Sequence, residues 1–258
     1  MKSIILFCSS ALLFFSCDDA SEIELVNTLG TDVKVSMTEY FESDERTLSF
    51  KFLTQKDYPC INYRIKSDYQ AEGQAINISL SEVQGADVCL EAIAPAASFI
   101  DLGELAFGDY PITIQIGESL VNTGTLSVTE GFFELAMNET TGLLIENSQI
   151  LRIPKGMIWG YVRSAEPATA QSIAQNMVER MQSIGATVRM LPAGDYGYFA
   201  VDQAGNATLP HTESGSVFLL DYPGEVNNAA VLIEEAMNSL DEGVSISLRT
   251  TTGDELQR

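Results

Sequence analysis

Histidine and tryptophan are almost missing from this chain, which carries one of each in 258 residues, His211 and Trp159. A lone histidine cannot build a multi-histidine metal site, and the polar neighbours in Leu209-Pro210-His211-Thr212 give it a structural or solvated role. Positive charge is scarce as well: 14 Lys and Arg stand against 36 Asp and Glu, for a net charge of -22. Binding nucleic acid requires clustered cations to neutralise phosphates, and no basic cluster occurs along the sequence, so nucleic acid and acidic lipid headgroups are excluded as direct partners. The Gly-x-Ser-x-Gly elbow, the phosphate-binding Walker loop, the dinucleotide fingerprint and the His-Glu-x-x-His zinc motif are all absent. No catalytic residue, cofactor site or metal site is therefore assigned. Some of the 36 carboxylates must fall at the spacing of a glycosidase pair, yet nothing in the sequence singles one pair out.

What is present begins at the N-terminus. Lys2 precedes an apolar stretch, Ile4 to Phe15, interrupted only by Cys8, Ser9 and Ser10. It is too short for a bilayer, which takes about 20 apolar residues, and has the length of a signal peptide. It ends in Leu13-Phe14-Phe15-Ser16-Cys17. In this the chain resembles bacterial lipoprotein precursors, in which a small residue stands immediately before a cysteine that becomes the lipid-carrying N-terminus. Ser16 and Cys17 match that core, while Phe14 and Phe15 depart from the usual leucine and small residue. The resemblance covers residues 1–17 and implies cleavage before Cys17, acylation of its thiol and attachment to a membrane through several acyl chains. Residues 17–22, with Asp18, Asp19 and Glu22, read as a tether. The location it implies is the bacterial cell envelope, on the outer membrane, facing the periplasm or the cell surface.

With Cys8 removed and Cys17 acylated, Cys60 and Cys89 remain, an even pair in an exported chain, and a disulfide between them is expected. Two cysteines without a histidine nearby make an incomplete zinc site.

Along the mature chain the periodicity changes once. From residue 23 to about 140 short alternating runs predict strands at 33–37, 48–53, 61–65, 76–80, 112–116 and 126–128. In Ile76-Asn77-Ile78-Ser79-Leu80 one face is apolar and the other polar, as for a sheet covered on one side. This predicts an immunoglobulin-like β-sandwich over 23–140, with the Cys60–Cys89 pair as its staple. Residues 138–152 read as a hairpin or connecting segment. Further on, Ala170, Ile173, Ala174, Met177, Val178, Met181 and Ile184 recur at steps of three and four, with Pro167 and Thr169 at the start and Gly185 at the stop. A second helical stripe runs from Val226 to Leu240. Strands at 157–162, 187–191 continuing through 196–201, 217–220 and 244–248 complete the order strand, helix, strand, strand, helix, strand, which predicts a ferredoxin-like βαββαβ domain over 150–258. Asp202-Gln203-Ala204-Gly205-Asn206 is expected at a hairpin tip, as a turn rather than a calcium site.

The functional expectation is a tethered two-domain envelope protein, non-catalytic, that binds or scaffolds a protein or glycan partner. Trp159 and Tyr161, like Tyr196 and Tyr198, share a face of a predicted strand, and either pair is sheet core or an aromatic platform for sugar or peptide. An envelope enzyme with a carboxylate site and a proteinase inhibitor are the alternatives. A pocket of converging carboxylates with raised pKa marks the first, and an exposed apolar patch marks partner binding.

Overall fold

The computed structural model describes residues 29–30, 32–43, 45–209, 215–224, 226–238 and 243–257. Cys17 with the rest of the leader and tether, and His211, lie outside the described residues. The first part is built from β1 (Val33–Glu42), β2 (Glu45–Cys60), β3 (Arg64–Glu72), β4 (Ala75–Gln84), β5 (Glu91–Asp101), β6 (Gly108–Ile116), β7 (Leu120–Val128) and β8 (Phe132–Met137), followed by the short β9 (Leu143–Ile145) and β10 (Gln149–Leu151). Alternation dictates the faces: Val33, Val35 and Met37 point inward from β1, and Lys34, Ser36 and Thr38 outward.

These strands form one sheet, in the order β10-β8-β7-β6-β4-β3-β5-β2-β1-β9. The pairings β4–β6, β3–β5 and β1–β9 are parallel and the rest antiparallel. The sheet curls into a half-barrel, so that Phe50, Phe52, Ile78, Ile114, Leu126 and Leu135 from strands across its width meet in one core. The immunoglobulin-like sandwich expected over 23–140 is thus overturned. A sandwich needs two separate sheets, whereas here the chain stays hydrogen-bonded in a single mixed sheet whose own curvature covers its inner face. An alternating pattern reports that one face is covered and is silent about what covers it. β5 was hidden from the pattern by its alanines and by Pro95, which pairs with Asp57 where the β2–β5 register breaks between Leu53 and Asp57.

Residues 138–152 are neither hairpin nor plain connection. β9 runs along the outer edge of β1 and β10 along that of β8, so this segment ties together the two ends of the ten-stranded sheet. Asn147, between the two strands, substitutes for a missing strand neighbour: its Oδ1 accepts from the Met37 amide at 2.7 Å and its Nδ2 donates to the Met37 carbonyl at 3.1 Å. The segment thus covers Val33–Val35 and Met37 on the edge of β1 and Phe132–Glu134 on that of β8.

The second part has a five-stranded antiparallel sheet of β11 (Met157–Arg163), β12 (Thr187–Val188), β16 (Ser216–Asp221), β17 (Ser245–Thr250) and β18 (Glu255–Gln257), in the order β12-β16-β11-β17-β18. α1 (Pro167–Ser183) and α2 (Val226–Asn238) connect the strands. α1 starts with Pro167 in its first turn and gives way at Gly185, whose φ of 99° is left-handed. Its Ala170, Ala174, Met177 and Met181 pack with Ala229 and Ile233 of α2 on Ile158, Val162, Leu220, Ile246 and Leu248. The ferredoxin-like reading of 150–258 is corrected too. β12 shrinks to two residues, β18 adds a fifth strand, and β13 (Gly194–Asp195), β14 (Ala200–Val201) and β15 (Ala207–Thr208) form a separate three-stranded sheet between β12 and β16.

That insertion covers the face of β11 opposite the helices. Trp159, Met157 and Leu219 pack there against Leu191, Tyr196, Phe199 and Val201, and the half-barrel contributes Phe41 and Leu151 to the same cluster. The Phe41 and Trp159 rings meet edge-on at 5.4 Å. No helix among the described residues is long and apolar enough to cross a membrane.

Candidate functional site

The outer face of the half-barrel carries two grooves. Register builds two rows across its strands. One runs Lys34, Leu53, Ala97, Arg64 over β1, β2, β5 and β3, and the next runs Ser36, Lys51, Phe99. Pairing between β3 and β5 is confined to Arg64 opposite Ala97, and the two strands are then linked by the Ser67 and Ser98 hydroxyls at 2.6 Å. A groove of about 740 Å³ lies over this joint, lined by Ile61, Tyr63, Arg64, Lys66, Leu90 and Phe99 among others. A second groove, of about 640 Å³, opens on the other side of Phe99 and reaches Lys34, Lys51, Tyr40, Asn147, Tyr198 and Arg249. Phe99 is the ridge common to both, 62% exposed.

Apolar exposure continues beside the first groove. Ile61, Val88, Leu90 and Ile93 are all more than half exposed. They are nevertheless held in place: Cys60 and Cys89 form the expected disulfide, with Cα atoms 5.3 Å apart. Asn62 donates to the Val88 carbonyl at 2.7 Å and accepts from the Leu90 amide at 3.2 Å, and the Ile61 amide donates to the Leu90 carbonyl. Under the patch Tyr58 stacks on Tyr63 at 5.1 Å, and burial, with Tyr63 adding to it, raises the Tyr58 pKa.

Charge over the two grooves runs against the balance of the whole chain. Their walls carry Lys34, Lys51, Arg64, Lys66 and Arg249, with only Glu146 and Asp195 as carboxylates. Three of the cations have acidic partners: Lys34 with Glu146 at 3.7 Å, Lys66 with Glu82 at 3.2 Å and Arg249 with Glu255 at 2.7 Å. Lys51 and Arg64, which flank Phe99, have no acidic partner among the described residues, and Lys51 lies over the Phe99 ring at 5.8 Å. Asp195 accepts from Asn147.

The second groove ends in a small pocket of about 190 Å³ between the two parts, walled by Tyr40, Phe41, Tyr198, Arg249, Asp254 and Glu255 with Trp159 at its base. Arg249 lies over the Tyr198 ring at 4.9 Å. Burial pushes the Tyr198 phenol up to about 12 against the opposing pull of Arg249.

Of the aromatic pairs singled out from the sequence, Trp159 and Tyr196 are core, Tyr196 stacking on Phe199 at 5.0 Å, while Tyr198 reaches the groove. Tyr161 is half-buried beneath the Arg163 guanidinium at 4.5 Å. The 202–206 turn is the tip of the β14–β15 hairpin, where hydrogen bonds from Asn206 hold the Asp202 carboxyl below its usual range. No group of three or more His, Cys, Asp or Glu among the described residues is arranged to hold a metal. Phe99, Lys51 and Arg64 are the residues that sequence reading missed. They lie far apart in the chain and come together only through strand register, and the strand carrying Phe99 was itself not foreseen.

Comparison with known proteins finds no match. No family model, no curated protein and no solved structure is similar to this chain.

Proposed function

We propose that this chain is a lipid-tethered protein of the bacterial cell envelope, anchored through Cys17 to the outer membrane, that works by binding a partner protein on the outer face of its half-barrel. The observation that carries the reading is the fixed apolar patch of Ile61, Val88, Leu90, Ile93 and Phe99. Each side chain is exposed at a cost in hydration, and folding does not require it, since the core is complete on the opposite face. A patch on a mobile loop would lose much of its gain to ordering on contact. This one is pre-ordered by a disulfide and three hydrogen bonds, which lowers the entropic cost of association. The Cys60–Cys89 bridge is also consistent with a compartment outside the cytoplasm. A carboxylate enzyme is less well supported, because the two groove carboxylates are engaged by Lys34 and Asn147 rather than directed at a common point.

The test is site-specific photo-crosslinking in intact cells. A photoreactive phenylalanine analogue in place of Phe99 is expected to capture one reproducible partner. The same analogue at Val121, also exposed but on β7, is expected to capture none. Capture that is equal at the two positions, or absent at both, overturns the reading. The anchor is tested separately: intact mass of the mature protein is expected to show acyl chains on Cys17, and an unmodified, freely diffusing polypeptide would remove the tether.

A further inference from the structure

We infer that the groove across the outer face receives an extended acidic polypeptide segment of the partner, with its apolar side chains against Phe99, Ile61 and Leu90 and its carboxylates on Lys51 and Arg64. The inference rests on the partner-binding reading and adds the chemistry of what is bound.

The first argument is charge. In a chain with 14 basic and 36 acidic residues, a cation on the surface meets a carboxylate easily. Lys34, Lys66, Arg249 and Arg189 do so at the surface, and Arg46 and Arg152 do so in the interior. Among the described residues Lys51 and Arg64, like Lys56, Lys155 and Arg180, stand without one, and of these five only Lys51 and Arg64 line the grooves, on either side of the ridge they share. Acidic side chains elsewhere on the surface repel an acidic ligand, so within the grooves these two cations, beside exposed apolar side chains, are where its carboxylates are best placed.

The second argument is shape and spacing. Lys51 and Arg64 are on strands separated by β5, opposite Phe99 and Ala97 respectively, which at ordinary strand spacing puts their Cα atoms about 12 Å apart. Carboxylates four residues apart on an extended chain are separated by about 13 Å, and the residue midway between them falls at the Phe99 ridge. Ile61 and Leu90 then supply aliphatic contacts along the first groove. Ile61 and Leu90 suit the apolar residues of a polypeptide better than a sugar, and although Tyr63, Phe99, Tyr40 and Tyr198 also line the grooves, this aliphatic share favours a polypeptide over an acidic glycan.

The experiment uses the full mature protein and three probes: a fluorescent peptide alternating Glu with Leu and Ser, its twin with Lys for Glu, and polygalacturonate. Fluorescence anisotropy is expected to show binding of the Glu peptide alone, weakened about tenfold by K51E combined with R64E, by F99S, and by high salt. Unchanged thermal melting of the variants checks that the fold is intact. Failure of the Glu peptide to bind, undiminished binding to the double charge variant, or binding of polygalacturonate in its place overturns the inference. The two levels separate cleanly. If crosslinking at Phe99 captures a partner whose contacting segment is neutral or basic, the acidic segment is refuted and partner binding stands; if it captures nothing, partner binding falls as well.

Discussion

Glu39 is 2% exposed at the inner end of β1, a position that would be untenable for a lone carboxylate. It is held by two arginines. Arg46 donates to its Oε2 at 2.6 Å, and Arg152 reaches its Oε1 from Nε at 2.9 Å. Each guanidinium is tied down again, Arg46 to the Ile153 carbonyl and Arg152 to the Thr129 carbonyl, and Arg152 lies over the Phe133 ring at 4.8 Å. Replacing Glu39 with Gln leaves two buried cations facing one neutral amide, and such half-broken networks cost about 3–5 kcal/mol. Urea unfolding of Glu39→Gln is expected to show that loss, and a midpoint equal to wild type would mean that water already screens the site. Tyr198 makes the complementary case of a group that resists ionisation. Its raised pKa means that the folded state disfavours the phenolate, so its contribution to stability is whole below pH 10 and is lost as pH rises through about 12. Ultraviolet titration of the native protein is expected to show one tyrosine ionising near pH 12, a step absent from Tyr198→Phe.

At the scale of elements, β11 shows how closely the flanking strands can crowd a glycine. Gly160 pairs with Phe218 on one side and Leu248 on the other. A Cβ at this position would meet the Phe218 ring and stand 2.6 Å from the Ser247 carbonyl oxygen, which is backbone and cannot swing aside. Gly160→Ala is therefore expected to lower stability by about 1–3 kcal/mol despite alanine's smaller loss of chain entropy, as read from thermal or urea unfolding. The helices were legible in the sequence because the stripe from Ala170 to Met181 has a period that only a helix satisfies, with Pro167 and Gly185 marking its ends. Strands with clean alternation, such as Ile76 to Leu80, were legible for the same reason. Their assembly was not. Alternation assigns faces but not neighbours, so the curl that replaces a second sheet, the tie formed by β9 and β10, and the rows that place Lys51 beside Phe99 depend on pairings between distant segments. Of the site, the Cys60–Cys89 staple could be anticipated once Cys8 and Cys17 were assigned to the leader and the anchor of an exported chain, and the groove it supports could not.

At the scale of the whole molecule, the periodicity of the chain suggests two domains, whereas the packing joins them. Trp159 comes from the second part, and its surroundings draw on both: Phe41 from β1, Phe199 from the insertion and Tyr198 at the groove. A Cβ at Gly253 would stand 2.8 Å from the Phe41 carbonyl oxygen, so the β17–β18 turn also lies directly on the half-barrel. Asn147 adds a polar contact to Asp195 across the same junction. An interface of buried aromatics shared in this way links the stability of the parts, because neither can expose its share of the cluster without the hydration cost falling on both. Trp159 is the only tryptophan, so its fluorescence reports this junction and nothing else. In a urea titration its red shift is expected to coincide with the loss of far-ultraviolet circular dichroism in one cooperative transition, and Trp159→Ala, truncating a side chain 1% exposed, is expected to move that transition by about 3–5 kcal/mol without splitting it. A fluorescence change that precedes the loss of β-structure would show instead that the two parts separate first and unfold independently, leaving the second groove open at its far end while the Phe99 ridge stays intact.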